Sequence, residues 1–179
     1  MNPLKIFAAT LFSKSEHSKS NVQTSIYNIT IKSLSGEPVS FSDFKGKYIL
    51  IVNVASKCGF TTQYKQLQEL HELYGDKLQV IGVPCNQFGN QEPGDSSAIE
   101  SFCEINYGAT FLITEKVDVK GNNQHPLYKW LTQKNKNGKS NSTVKWNFQK
   151  YLVNKEGYLA DYYFSTTSPL APKIVNRLK

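Results

Sequence analysis

Apolar and polar positions change period along this chain, and each change marks an element. Tyr27–Ile31 alternates, and Ser35-Gly36 with Pro38–Phe41 supplies a turn and a second short run, so an N-terminal β-hairpin is predicted. Tyr48–Ala55 (YILIVNVA) is nearly all apolar, as in a strand covered on both faces. Gln63–Tyr74 sets Tyr64, Leu67, Leu70 and Leu73 or Tyr74 at helical spacing, and Gly75 stops it. Leu78–Val83 reads as a second buried strand and Gln87–Gly94 (QFGNQEPG) as a loop. Ser97 with Glu100 forms a capping box before a helix whose inner face carries Ile99, Phe102 and Cys103. Val117–Val119 and Gly121 predict a strand and turn, and Pro126 opens a helix with Leu127, Trp130 and Leu131 inward. Phe148–Val153, Lys155-Glu156-Gly157 and Tyr158–Phe164 predict a hairpin, and Ile174, Val175 and Leu178 a closing helix.

Strand–helix–strand–helix followed by a hairpin and a last helix predicts an α/β fold, a central mixed sheet flanked by helices. The Tyr48–Val83 unit is a crossover, so its two strands should run parallel, with chemistry at their C-terminal ends. Met1–Val22 reads as a flexible N-terminal extension and residues 23–179 as one domain. Leu4–Phe12 is apolar but too short for a membrane span, and no small-x-small cleavage site follows it. A cytoplasmic location is therefore expected, with an exported form left open.

Charge adds one feature. Lys129 to Lys155 holds seven lysines and no Asp or Glu, which equals the whole net charge of +7. A solvated lysine-rich loop explains it, and a positive face for anionic substrates or an acidic partner is the alternative. No groove-reading helix or stacking motif accompanies the lysines, so nucleic acid is not the expected partner. His17, His71 and His125 form no metal-ligand spacing with the cysteines, so no metal or cofactor is expected.

The three cysteines are an odd number and cannot close into a disulfide framework. Cys58 follows the first long strand and precedes the Gln63–Tyr74 helix. Helix N-termini present free N–H groups, and a thiol near one loses its proton more readily to give the reactive thiolate. Thr61 stands where a dithiol oxidoreductase carries its second cysteine, so a disulfide between such neighbours is ruled out. An oxidised Cys58 then needs a thiol from elsewhere in the chain or from another molecule. Taken on local pattern alone, Cys58 is equally well a packed core thiol, and Cys85 and Cys103 read as buried and inert.

The surrounding residues change that balance. Gly46–Thr61 (GKYILIVNVASKCGFT) resembles the catalytic-cysteine signature of the glutathione peroxidase family. So do Val83–Gly94 (VPCNQFGNQEPG), Phe102–Phe111 (FCEINYGATF), Lys116–Gly121 (KVDVKG) and Lys145–Val153 (KWNFQKYLV), in the family's order and near its spacing. The resemblance runs from about Ser25 onward. It implies a thioredoxin-like fold and the reduction of hydrogen peroxide and organic or lipid hydroperoxides. It places Cys58 at the peroxidatic position, Gln87 at the active-site glutamine, and Trp146 and Asn147 at the active-site tryptophan and asparagine. Those residue types suit the chemistry: one indole N–H and two amides donate to anionic sulfur and to a departing oxygen without titrating near neutral pH.

The resemblance further matches Cys103 to the resolving cysteine of the non-selenium, thioredoxin-dependent branch. It implies a Cys58–Cys103 disulfide reduced by thioredoxin. Glutathione is the weaker candidate reductant, because the arginines that hold it in the selenium branch have no evident counterparts. Only 15 residues separate Trp130 from Trp146, without the tetramer-forming insertion, so a monomer is expected. Leu112 stands where the family usually has proline. The competing readings are a protein disulfide reductase, which C-x-x-T argues against, a redox sensor relaying a Cys58–Cys103 bond to a partner, and a basic binding module.

Overall fold

The computed structural model describes residues 24–179, and the expected extension Met1–Val22 lies outside them. Strands β1 (Thr30–Lys32) and β2 (Pro38–Ser40) form the antiparallel hairpin, pairing Ile31 with Val39. A five-stranded mixed sheet follows, built from β3 (Tyr48–Val54), β4 (Leu78–Pro84), β5 (Leu112–Ile113), β6 (Lys150–Val153) and β7 (Leu159–Tyr163). Its order is β5-β4-β3-β6-β7, with β4 parallel to β3 and β6 antiparallel to it. The helices are α1 (Gln63–Tyr74), α2 (Ser96–Tyr107), α3 (Pro126–Thr132), α4 (Lys134–Asn137) and α5 (Pro172–Val175).

The sheet separates two apolar layers. Leu50, Val52, Val54, Val80 and Leu152 point to one, where α1 brings Tyr64, Leu67 and Leu70, α2 brings Ile99 and Cys103, and α5 brings Ile174. Ile49, Ile51, Ile81, Val83, Tyr151 and Val153 point to the other, against Leu127, Tyr128 and Leu131 of α3 and Ile31 of the hairpin. Double coverage explains the nearly all-apolar run of β3, broken only by Asn53, since both sets of alternating side chains are buried. Each large side chain sealed this way contributes about 1.5–3 kcal/mol.

Three local expectations are corrected. The cap of α2 is Asp95, whose Oδ1 accepts the Ala98 N–H at 2.9 Å, so the helix starts before Ser97. Val117–Val119 forms no strand, although the Val117 N–H donates to Pro84 O at 3.1 Å; the strand beside β4 is Leu112–Ile113, which runs parallel to it. Lys150, in the lysine-rich stretch, is fully buried rather than solvated.

Candidate active site

Cys58 lies in the link between β3 and α1, and Thr61 shapes that link. Its Oγ1 accepts the Cys58 N–H at 2.9 Å and donates to Ala55 O at 2.8 Å, closing a tight turn. The Phe60 N–H then points at Cys58 Sγ at 3.4 Å, a fixed backbone donor beside the sulfur. The threonine of C-x-x-T is thus a brace. Cys58 keeps only 9% of its surface exposed, so the approach to it is narrow.

Asn53, buried on β3, fixes the segment that carries Trp146 and Asn147. Its Nδ2 donates to Trp146 O at 3.1 Å, its backbone O accepts the Phe148 N–H at 2.6 Å, and its Oδ1 accepts the Gln149 N–H at 3.2 Å. Phe148 has φ 62°, a left-handed conformation uncommon for a bulky residue, which turns the chain sharply after Asn147. Asn147 is fully buried and Trp146 is 40% exposed, its ring packed on Phe88 with centroids 5.7 Å apart. Among the described residues, no protein group accepts the indole N–H of Trp146, which leaves this donor free. Asn147 Nδ2 donates to Gln91 Oε1 at 3.0 Å and reaches Phe88 O at 3.5 Å, while its Oδ1 has no partner.

Gln87 departs from the expected arrangement. Its Oε1 accepts the N–H groups of Val119 at 2.8 Å and Lys120 at 3.1 Å, and its Nε2 donates to Lys120 O at 3.0 Å. That carboxamide ties the 119–120 segment to the end of β4. Gln91, four residues on, is the glutamine that meets Asn147, and its backbone O accepts the Lys57 N–H at 3.0 Å, next to Cys58. Gly89 (φ 68°) and Asn90 (φ 53°) turn the loop back so that Gln91 faces this way. Gln91 is absent from the residues the sequence singled out; its signal is the Gly-Asn pair before it, a pairing that tolerates left-handed backbone and announces a tight reversal. Among the described residues no hydrogen bond joins the Cys58 sulfur to a side chain of Gln87, Gln91, Trp146 or Asn147.

The three thiols are free and all are buried, but they are not equivalent. Cys58 and Cys103 belong to one apolar layer, which they share with Tyr64. Cys85 belongs to the opposite layer, with its sulfur receiving the Gln87 N–H at 3.5 Å. Burial pushes the Cys103 thiol up to about 11; the nearby Tyr64 hydroxyl pulls it back and the charge of Glu92 pushes it further. Tyr64 Oη makes no hydrogen bond of regular geometry, although it sits close enough to act on that thiol. Among the described residues no group of three or more His, Cys, Asp and Glu side chains could hold a metal ion, and no helix is long and apolar enough to cross a membrane.

Comparison with known proteins agrees with this architecture. Residues 26–132 match the family model for glutathione peroxidase. A glutathione peroxidase-like peroxiredoxin of Chlamydomonas reinhardtii is 51% identical over 151 residues, 83% of this chain and 93% of the relative. A glutathione peroxidase-like peroxiredoxin of Saccharomyces cerevisiae is 48% identical over 144 residues (80% and 88%). A hydroperoxy fatty acid reductase of Synechocystis is 47% identical over 150 residues (80% and 89%). Of solved structures, the apo form of Trgpx superposes with a TM-score of 0.67 at 36% identity, covering 87% of this chain and 95% of that one. A thioredoxin-family thiol:disulfide interchange protein of Chlorobium tepidum shares the fold alone, with a TM-score of 0.57 at 13% identity over 84% and 92% of the two chains. With a thioredoxin-like sheet, a cysteine at its strand-to-helix link and relatives matching across most of their length, this chain belongs to the glutathione peroxidase family.

Proposed function

We propose that the chain is a thiol peroxidase that reduces hydrogen peroxide and organic or lipid hydroperoxides through Cys58. The thiolate attacks the terminal peroxide oxygen, the O–O bond breaks, and the leaving oxygen takes a proton to give water or an alcohol. Cys58 becomes a sulfenic acid. The Cys103 thiol then attacks that sulfur, forming the S–S bond as the S–O bond breaks and water departs. Thioredoxin reduces the disulfide and returns both thiols. The observation that carries this reading is that Cys58 and Cys103 share one packed layer while Cys85 lies across the sheet. The Trp146 N–H is the free donor for the developing negative charge; Asn147, its Nδ2 oriented by Gln91 Oε1, donates the N–H that otherwise makes only the long contact to Phe88 O, and Gln87 acts as a brace. The narrow, half-open rim beside Trp146, and the name of the Synechocystis relative, support extended hydroperoxides as substrates. The enzyme acts as a monomer in a compartment that keeps its thiols reduced, the cytoplasm.

A steady-state assay tests this. It compares thioredoxin with glutathione as reductant, with hydrogen peroxide and a fatty acid hydroperoxide as substrates, and mass spectrometry identifies the disulfide formed. Turnover with thioredoxin and a Cys58–Cys103 bond are expected, with glutathione slower. A single stoichiometric oxidation without turnover would assign the chain to sensing instead. A dominant bond from Cys58 to Cys85 would refute the resolving role of Cys103.

A further inference from the structure

Glu92 is a carboxyl group that the reading above leaves without work. It is fully buried in the loop after β4. Its Oε1 accepts the Ser56 hydroxyl at 2.6 Å, and its Oε2 has no partner. The sole ion pair among the described residues, Arg177 with Asp161, does not involve it. Lys116 comes near, but its Nζ donates to the backbone oxygens of Glu92 at 3.1 Å and Gly94 at 2.7 Å, pinning the loop rather than neutralising the carboxyl. An unpaired buried carboxyl costs several kcal/mol when ionised, so its retention calls for a use.

Its position suggests one. Glu92 lines a cavity of about 260 Å³ together with Ser56 and Lys57 from the Cys58 link and Ala98, Ile99 and Phe102 from α2. One wall therefore belongs to the element of Cys58 and the other to the helix of Cys103. From α1, the Tyr64 hydroxyl is a second buried polar atom without a regular partner. Glu92, Tyr64 and Cys103 are close enough for the Glu92 charge to act on both other groups. Burial raises the Glu92 carboxyl, opposed by the Ser56 hydrogen bonds and by Lys116 and Lys57. A carboxyl raised this way exchanges protons nearer neutral pH than a solvated one.

We propose that Glu92 carries the proton of the resolving step, taking it from the Cys103 thiol and returning it to the hydroxide that leaves Cys58. The inference rests on the thiol peroxidase reading. The Cys103 S–H bond breaks, with its proton passing to Glu92 Oε2. The Cys103 sulfur bonds to the Cys58 sulfur while the Cys58 S–O bond breaks. The leaving hydroxide takes the proton back from Glu92 and departs as water. Cys103 is oxidised, the sulfenic sulfur is reduced, and Glu92 ends as it began. Phe102, the neighbour of Cys103 on α2, lines the cavity opposite Ser56 and Lys57, and the Glu92 charge reaches the Cys103 thiol.

The test follows disulfide formation after a single peroxide pulse, by rapid quench and mass spectrometry, from pH 6 to 9. Glu92→Gln keeps the shape and an acceptor for Ser56 but cannot take up the proton. At pH 7 it is expected to accumulate dimedone-reactive Cys58 sulfenic acid and to form the disulfide about a hundredfold more slowly. Its residual rate should climb about tenfold per pH unit as hydroxide replaces the carboxylate. The wild-type rate should depend far less steeply on pH through 7–9, because the carboxyl and not hydroxide takes the thiol proton. Disulfide formation in Glu92→Gln at the wild-type rate overturns the proposal. So does a wild-type rate that climbs tenfold per unit through pH 7–9, because the thiol's own ionisation would then govern; that profile decides even if the variant fails to fold. A wild type that never forms the Cys58–Cys103 bond sinks the peroxidase reading itself, whereas a bond indifferent to Glu92 sinks only this inference.

Discussion

The two faces of the sheet hold equally buried cysteines in unequal settings. On the α3 face Cys85 is sealed, and its sulfur is bound to the backbone of a loop that Gln87 ties down. On the α1–α2 face Cys58 sits in a turn with a backbone N–H directed at it, and Cys103 rides a helix whose outer residues, Glu104 and Ile105, face solvent. Among the described residues five buried polar atoms lack partners; Tyr64, His71, Glu92 and Asn147 supply four from α1 or from segments tied to the Cys58 link and its loop, and Tyr128 supplies the fifth on the α3 face. Burial alone does not separate a packing thiol from a working one. An unpartnered hydroxyl lies near a buried thiol on each face, Tyr128 by Cys85 and Tyr64 by Cys103, so what separates the faces is the unpartnered Glu92 carboxyl, which acts on Cys103 and has no counterpart at Cys85 among the described residues.

The comparison breaks most visibly at the cysteines. Cys58→Ser should reduce peroxide consumption at least about a thousandfold, measured by peroxide disappearance with thioredoxin present. Cys103→Ser should still consume one equivalent of peroxide, yet lose recycling by about a hundredfold. Cys85→Ser should turn over within about twofold of wild type and instead lower stability by about 1–2 kcal/mol, because a hydroxyl replaces a thiol in an apolar layer. Recycling lost in Cys85→Ser would erase the distinction between the faces.

A smaller effect distinguishes the two glutamines. Gln91→Ala removes the acceptor that orients Asn147 and should slow Cys58 oxidation about tenfold in stopped-flow measurements. Gln87→Ala should leave that rate within about twofold but cost about 1–3 kcal/mol in urea unfolding, since two backbone N–H groups and one carbonyl lose their partner. The reverse pattern would restore Gln87 to the site.

The smallest effect concerns Lys150, buried on the Cys58 side of β6. Its Nζ donates to Gln63 Oε1, at the start of α1, and to Ser165 O at 3.3 Å; Ser165 Oγ in turn donates to Asn147 O at 2.6 Å. Burial, with Lys173 adding to it, pulls the amine down to about 7. The folded chain therefore binds this proton less readily than the unfolded chain above pH 7, so stability should rise between pH 7 and 9. The rise flattens there because the Cys103 thiol, raised to about 11, offsets the lysine's slope above the ordinary thiol range. Urea midpoints at pH 7 and 9 should differ in wild type and converge in Lys150→Met.

Most of the architecture was legible because it follows from periodicity. The apolar runs of β3 and β4 and the helical spacing in α1 mark burial, and burial sets the layers. The candidate site was legible in part, as residues whose roles are proposed. Cys58 is marked by its place after a strand and before a helix, and Trp146 and Asn147 by the motif that holds them. What escaped depends on backbone reversal, which hydrophobic pattern does not encode. Gln87 and Gln91 have the same chemistry in one short loop, and the turn at Gly89 and Asn90 decides which one reaches Asn147. Asp95 displaced Ser97 as the α2 cap because both are good caps and the loop entering the helix selects between them. Lys150 looked like surface because composition counts charges without locating them.

The contrast between the two tryptophans has a practical consequence. Trp130 is 4% exposed and its N–H is held by Thr24 O at 3.0 Å, whereas Trp146 is 40% exposed, packed on Phe88 and joined through its neighbour Asn147 to Gln91 of the loop that meets the Cys58 link. These are the only two indoles in the chain. Under excitation selective for indole, the protein therefore carries a constant emitter in its interior and a responsive one at the edge of the proposed site. Each change in the oxidation state of Cys58 should register in the ultraviolet emission without any label.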